Sequence, residues 1–264
     1  MVLAKSEPKI SLEQHIDDCL HICCQLKEAL PDITVRYGME FWKALRTAII
    51  LHDTGKSHVE FQKYLLGKNN EWYHQRHEMF SVYFAQNSDS RDILGSGGLL
   101  AILGHHKSLK DLYDFIDKNY TKDEWCLEDD GLDYNDECKK LNSPFVWNLM
   151  KQYDIEQKTH CPIDLKKIIK SYIRNAKGLL HEQTIENILL VGALKQCDHL
   201  ASAGIQKINC IDSSDFAFLD RITFYDHQKL AGDKEGNVIL TAPTGTGKTE
   251  AALNWLRKQI HSRG

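Results

Sequence analysis

No apolar run in this 264-residue sequence approaches the roughly 18 residues needed to span a bilayer. Residues Met1 to Lys9 lack the apolar centre of a signal peptide, so the expectation is a cytoplasmic protein with no membrane role. An excess of positive charge is missing too. Lys and Arg number 33 against 37 Asp and Glu, a formal charge of −4. That balance excludes a general basic surface, and any contact with nucleic acid has to be local, through a groove or metal ions. There is no Cys-x-x-Cys pair. The eight cysteines (Cys19, Cys23, Cys24, Cys126, Cys138, Cys161, Cys197 and Cys210) are scattered. A zinc or disulfide framework is therefore excluded, and a chain of this length and apolar content needs neither. The cysteines read as reduced thiols used for packing.

Histidine, by contrast, is abundant, with 13 in the chain. The stretch Leu51-His52-Asp53-Thr54-Gly55-Lys56 is the point around which the others arrange themselves. Imidazole suits transition metals, and carboxylate oxygens extend the range to manganese and magnesium. One Asp has two oxygens and can bridge two ions. Gly55 is expected to let the backbone turn, and Lys56 sets a mobile cation where a phosphate can dock. The competing reading of the dipeptide alone is a buried His capped by an Asp.

The length allows one large domain or one and a half ordinary ones. Ser11 to Leu30 reads as an amphipathic helix capped by Ser11, with Leu12, His15, Ile16, Cys19, Cys23, Leu26 and Leu30 on its apolar side and His21 off it. Pro31 ends it. Met39 to Leu51 is the next helix, delivering His52 and Asp53 at its C-terminus; Val59 to Leu66 is short, and His77 to Gln86 follows. Leu99 to Leu103 leads into the doublet His105-His106, which at a helix end points to metal binding. Residues 119 to 162 are rich in acids and are expected to form a solvated insertion. Leu165 to Ala176 is helical with a basic face of Lys166, Lys167, Lys170, Arg174 and Lys177. Gln183 to Ala203 is a long helix carrying Asp198, which needs a partner if buried.

Beyond about Ile211 the period changes. Asn237 to Thr241 reads as a buried strand, Ala242-Pro243-Thr244-Gly245-Thr246-Gly247-Lys248-Thr249 as a phosphate-binding loop, and Glu250 to Ile260 as a helix. Ala242 stands where the general pattern has its first glycine. Backbone N–H groups of such a loop cradle phosphates, Lys248 neutralises the terminal ones and Thr249 reaches magnesium. No acidic partner strand, second lobe or arginine finger follows, so the loop is expected to hold nucleotide weakly and not to hydrolyse it.

His15, His52-Asp53, His77, His105-His106 and Asp198 occur in the order of the HD metallohydrolase superfamily, an all-α fold, over roughly residues 10 to 205. The chain lacks the Gly-Tyr-Pro signature of the cyclic-dinucleotide phosphodiesterases. With the phosphate-binding loop behind it, it resembles the helicase–nuclease of type I CRISPR systems. Tyr225-Asp226-His227-Gln228 looks like the Gln motif of such helicases, with Gln228 on adenine. The resemblance implies a mainly α protein: an HD nuclease domain over 1–212, with 119–162 as its insertion, then a truncated strand–loop–helix fragment of a RecA-like α/β helicase domain over 213–264.

It also implies the chemistry. His15, His52, Asp53 and Asp198 would hold one divalent ion (manganese, iron, cobalt or nickel, with magnesium possible). Asp53, His77, His105 and His106 would hold a second, with Asp53 bridging. Lys56 would stabilise phosphate charge and Ser202, one turn after Asp198, would support the site. The implied activity is metal-dependent cleavage of single-stranded DNA supplied by an RNA-guided CRISPR surveillance complex, with ATP and magnesium serving the full-length helicase. Single-stranded DNA calls for cations and stacking rings, for which Trp72, Tyr73, Lys107 and Lys110 are scattered candidates. The alternatives are a nucleotide phosphohydrolase and a non-catalytic docking domain stabilised by one structural ion.

Overall fold

A computed structural model describes residues 1–72, 75–119, 133–159, 162–175, 182–209, 211–236 and 238–263. The chain divides into two compact units, Met1–Ile208 and Asn209–Gly264. Among the described residues no helix is long and apolar enough to cross a membrane.

The first unit is almost entirely helical. Its only sheet among the described residues pairs β1 (Leu3–Lys5) with β2 (Ile10–Ser11), antiparallel. Ser11 then caps α1 (Leu12–Ala29), its hydroxyl accepting from the Gln14 N–H. Leu12, His15, Ile16, Cys19, Ile22, Cys23 and Leu26 make the buried stripe. Leu30, expected to extend that stripe, is exposed, because its backbone has already left the helix. Pro31 opens the next helix as well as closing the last: α2 (Pro31–Leu51) carries it in its first turn, where the missing N–H has no helical partner to lose. Gly38, at φ 71°, breaks α2 into two pieces, so the helix expected from Met39 is the second of a kinked pair.

Beyond a short 3-10 turn at Thr54–Ser57 come α3 (Val59–Leu65), α4 (His77–Asn87), α5 (Arg91–Gly104) and α6 (Leu109–Asn119). Then follow α7 (Tyr134–Cys138), α8 (Ser143–Met150), α9 (Leu165–Asn175) and α10 (Glu182–Ser202). Helices α1, α2, α5 and α10 pack against one another, with α4 against α2 and α5.

The expected solvated insertion is corrected over its described second part. Tyr134, Cys138, Leu141, Val146, Trp147, Leu149, Met150 and Ile155 are buried in the same core as α1 and α2. The acids masked an apolar pattern: Asn142 caps α8, and Glu137 is itself buried against Gln75 and Lys140. On α9 the Lys166 ammonium pairs with Asp117, and those of Lys166 and Lys170 lie over the Tyr113 ring. The Arg174 side chain and Lys177 lie outside the described residues.

What locks the centre is the crossing of the 3-10 turn with α4. Gly55 sits there, and not for the sake of a left-handed turn. A Cβ on it would lie 2.0 Å from the His77 carbonyl oxygen and 2.7 Å from the Ser81 nitrogen. The role expected of Gly55 is therefore corrected: it lets two backbones touch. Ser81, fully buried, joins them, its hydroxyl donating to the His52 carbonyl at 2.5 Å and accepting from the Gly55 N–H at 2.9 Å.

The second unit holds a 3-10 segment (Ser213–Arg221), α11 (Asp226–Gly232) and α12 (Lys248–Arg263). The strand expected at 237–241 does not form over its described residues, and Ile239 is 95% exposed. A strand exists only against a hydrogen-bonding neighbour, and none of the described residues of this unit offers one.

Replacing Gly55 with Ala has to push α4 off the turn. Overpacking of this kind costs about 1–3 kcal/mol, more where the obstacle is backbone. Urea unfolding of the Gly55→Ala chain, followed by circular dichroism, should show a loss at the upper end of that range. An unchanged midpoint would mean the crossing is loose.

Candidate metal centre

Five pieces of chain converge on one point inside the first unit. The N-terminal half of α1 brings His15 and Cys19, one turn apart on the buried face. The end of α2 brings His52 and Asp53, the start of α4 brings His77, the end of α5 brings His105 and His106, and α10 brings Asp198. His52, Asp53, His105, Asp198 and His15 are all buried. His106 is exposed and the His77 side chain is 12% exposed. The centre therefore opens to solvent on the His77–His106 side.

Asp53 divides the donors in two. Its Oδ2 lies 3.3 Å from His15 Nε2 and 3.6 Å from His52 Nε2. Its Oδ1 lies 3.1 Å from His77 Nε2 and 3.9 Å from His105 Nε2. Asp198 Oδ1 closes the first side, 3.2 Å from His15 Nε2 and 3.9 Å from His52 Nε2. Two compact donor groups result, His15 with Cys19, His52 and Asp198, and Asp53 with His77, His105 and His106, the ligand atoms within each lying no more than 4.8 Å apart.

Two of the imidazoles are aimed by the backbone. Nδ1 of His52 lies 2.6 Å from the Ile49 carbonyl, and Nδ1 of His105 lies 2.6 Å from that of Ile102. A carbonyl can only accept, so each Nδ1 carries the proton and each Nε2 presents a lone pair to the centre, the arrangement usual for a metal-binding histidine. His52 Nε2, His77 Nε2, His105 Nε2 and both Asp53 oxygens are buried without a well-aligned hydrogen bond. Polar atoms in that state are costly unless something positive lies between them. The donor set fits a divalent metal.

The charges around the pocket are consistent with this. Burial works against ionised Asp53, but the Lys56 ammonium (Nζ 2.6 Å from Oδ2) and His52 outweigh it and hold the carboxyl well below the usual range. Asp198 is likewise held low, burial being overcome by His15 and His52. Burial also disfavours a charge on His15, yet contacts with Asp198, Asp53 and Cys19 prevail and push it up to about 12. His105 goes the other way, driven well below its ordinary value by burial and then by His52, His106 and His77. Burial and His77 bring His106 down to about 4.

Ser202 donates from its hydroxyl to Asp198 Oδ1 at 3.3 Å, one turn along α10. Of the residues proposed to meet DNA, Trp72 is corrected: it is buried among His58, Phe61 and Phe80 and offers no free face to a base. Tyr73 lies outside the described residues, and Lys107 and Lys110 are exposed. Four participants escaped the sequence reading. Cys19 reads as a packing thiol, and Ser81 carries no signal in the sequence. Glu78 is buried with Oε2 3.6 Å from His77 Nδ1, a neighbour signalled only by its adjacency. His58, whose Nε2 is 3.4 Å from Glu137, depends on a contact no local pattern announces.

In the second unit one cleft collects Tyr225, Gln228, Thr244, Gly245, Lys248 and Thr249. Lys248 opens α12 and its ammonium donates to the carbonyls of Ala242 and Pro243. Thr246 donates to the Pro243 carbonyl. Gln228 is buried and spends both ends of its amide on backbone, accepting from the Tyr225 N–H and donating to the Gly247 carbonyl. An adenine contact by Gln228 would have to displace one of these bonds.

His58, which burial brings down to about 4, His105 and His106 are neutral in the folded chain but carry protons below their ordinary value of 6.5 when unfolded. The stability they contribute is complete above pH 6.5 and is lost as the pH falls from there toward about 4. His15, raised to about 12, acts oppositely but only above pH 6.5. The depressed carboxylates Asp53 and Asp198 matter only below their ordinary value of 3.8. The urea midpoint of the chelator-treated chain should therefore fall steadily from pH 6.5 toward about pH 4, with little change in slope. A flat midpoint would show these imidazoles to be hydrated.

No family model and no solved structure matches the chain. It is similar to the CRISPR-associated nuclease/helicase Cas3 of Methanothermobacter thermautotrophicus, 26% identical over 269 residues. That match takes in 84% of this chain and 32% of the relative, so the chain spans about a third of the length of the curated protein it matches.

Proposed function

We propose that residues 1–212 are an HD-superfamily, metal-dependent nuclease domain that hydrolyses phosphodiester bonds of single-stranded DNA. Residues 213–264 are then the start of a RecA-like helicase domain, and the protein serves type I CRISPR interference beside an RNA-guided surveillance complex. The observation that carries the reading is Asp53, with one oxygen turned toward each of two histidine-rich donor groups. The likeness to a protein named as both nuclease and helicase supports it.

On this reading His15, His52, Asp53 and Asp198 would hold one divalent ion, and Asp53, His77, His105 and His106 a second. Manganese, iron, cobalt and nickel suit such a nitrogen and oxygen set, and magnesium fits it less well. When bound, ions so placed polarise a phosphodiester, lower the pKa of water and offset charge on the leaving oxygen. The remaining work belongs to the chain. The Ile49 and Ile102 carbonyls keep the His52 and His105 lone pairs aimed inward. Lys56, beside Asp53 and 13% exposed, supplies a cation for the charge that builds on the phosphate in the transition state. Ser202 steadies Asp198. The strand enters over His77 and His106, where the centre opens. In the second unit the loop Thr244-Gly245-Thr246-Gly247-Lys248-Thr249 takes the phosphates of ATP with magnesium. Lys248 leaves the Ala242 and Pro243 carbonyls to meet them, and Gln228 stands at the adenine end.

The test uses circular single-stranded DNA, so that cutting cannot start from an end. Metal-stripped protein should be inert and should cut when manganese, cobalt, nickel or iron is restored. Asp53→Ala should lose more than about 100-fold, the most that loss of a merely supporting contact costs. Hydrolysis of small nucleotides with the circle left intact would move the protein to the phosphohydrolases. A tightly held ion with neither activity would make it a docking domain.

A further inference from the structure

The first donor group contains a residue that the nuclease reading does not use. Cys19 follows His15 by four residues on α1, the spacing that stacks two side chains on one helical face. Its Sγ is 3.7 Å from His15 Nε2, and it lies within 4.8 Å of the His52 and Asp198 ligand atoms. Tetrahedral ligation with ordinary metal–sulfur and metal–nitrogen lengths places a sulfur and a nitrogen about 3.6 Å apart. The thiol is thus already at ligand spacing from His15. A second observation points to a ligand at the same spot: His52 Nε2 is buried, fixed as a lone pair by the Ile49 carbonyl, and has no hydrogen-bond partner. Cys23 and Cys197 are buried nearby but stand outside the group.

We propose that Cys19 ligates the first ion as a thiolate, making that position a mixed nitrogen, sulfur and oxygen site. The inference rests on the metal-centre reading. As the ion binds, the thiol proton leaves to solvent and the sulfur lone pair takes its place. The second group, Asp53 with three imidazoles, has no sulfur among its ligand atoms. The two positions therefore differ in kind. The first favours thiophilic ions such as zinc or cobalt, whereas the second is a nitrogen and oxygen site that discriminates less strongly against manganese.

The experiment is a cobalt titration of the whole metal-free chain, with bound cobalt counted by equilibrium dialysis and absorption recorded in the near-ultraviolet. The unmutated chain should take up to two ions and develop a sulfur-to-cobalt charge-transfer band. Cys19→Ser should keep the ions and lose the band, and Cys24→Ser, on an exposed thiol of the same helix, should keep both. The preference for zinc over manganese should fall by at least about 10-fold in Cys19→Ser, the lower end of what losing a supporting contact costs. X-ray absorption at the cobalt edge of the unmutated chain needs no variant to fold, and should show one sulfur shared among the bound ions. Cobalt bound with only nitrogen and oxygen neighbours, or a band that survives Cys19→Ser, would overturn the role of Cys19 and leave the metal centre standing. No bound cobalt at all would overturn both.

Discussion

From α1, the end of α2, the start of α4 and the end of α5, imidazoles come to within 4 Å of the carboxylate of Asp53. It is 1% exposed, and its oxygens face different sets of imidazoles. A buried anion with that much surrounding nitrogen is tolerable only beside positive charge. The architecture can be read as the means of holding it there. Gly55 allows the turn after Asp53 to lie directly on α4, and Ser81 bonds the two together. The backbone carbonyls of Ile49 and Ile102 fix the rings on either side. None of these is a donor to the centre, yet each sets where a donor stands.

The donors themselves were legible in the sequence because they are chemically conspicuous and sit at helix ends. His52-Asp53, His105-His106 and the lone Asp198 of an apolar helix each announce a need that a helix cannot satisfy by itself. Ser202 and Lys56 were legible as supporting groups, whereas Ser81, and Cys19 within the first donor group, were not. Ser81 and Cys19 are small residues on buried faces, and nothing in the local pattern separates a packing thiol from one that points at a histidine four residues away. The second half of the acidic stretch was misread for a related reason. Charge density hid the apolar side of α7 and α8, although Tyr134, Trp147 and Met150 lie in the core. Gly55 was recognised as necessary but for the wrong reason, since a sequence shows that a side chain is missing and not which neighbour requires its absence.

The second unit shows the limit of local pattern more plainly. Val238, Ile239 and Leu240 have the composition of a buried strand, but burial and pairing are properties of a sheet, and the described residues of this unit contain none. The loop behind them is shaped by short-range contacts instead. Gln228 grips the Gly247 carbonyl, His227 approaches that of Thr246, and Lys248 folds back onto Ala242 and Pro243. In this arrangement Gln228 and Lys248 are engaged with the chain's own backbone.

The pocket around Asp53 carries its own counterions. Two carboxylates, Asp53 and Asp198, stand against one ammonium, Lys56, and one imidazolium, His15. Over these four groups the charges cancel. These two carboxylates are thus balanced from within the chain, in contrast to small zinc modules, whose folding free energy is largely metal binding. The contacts that balance the two carboxylates are all made within the chain, by groups drawn from α1 and from the turn after α2.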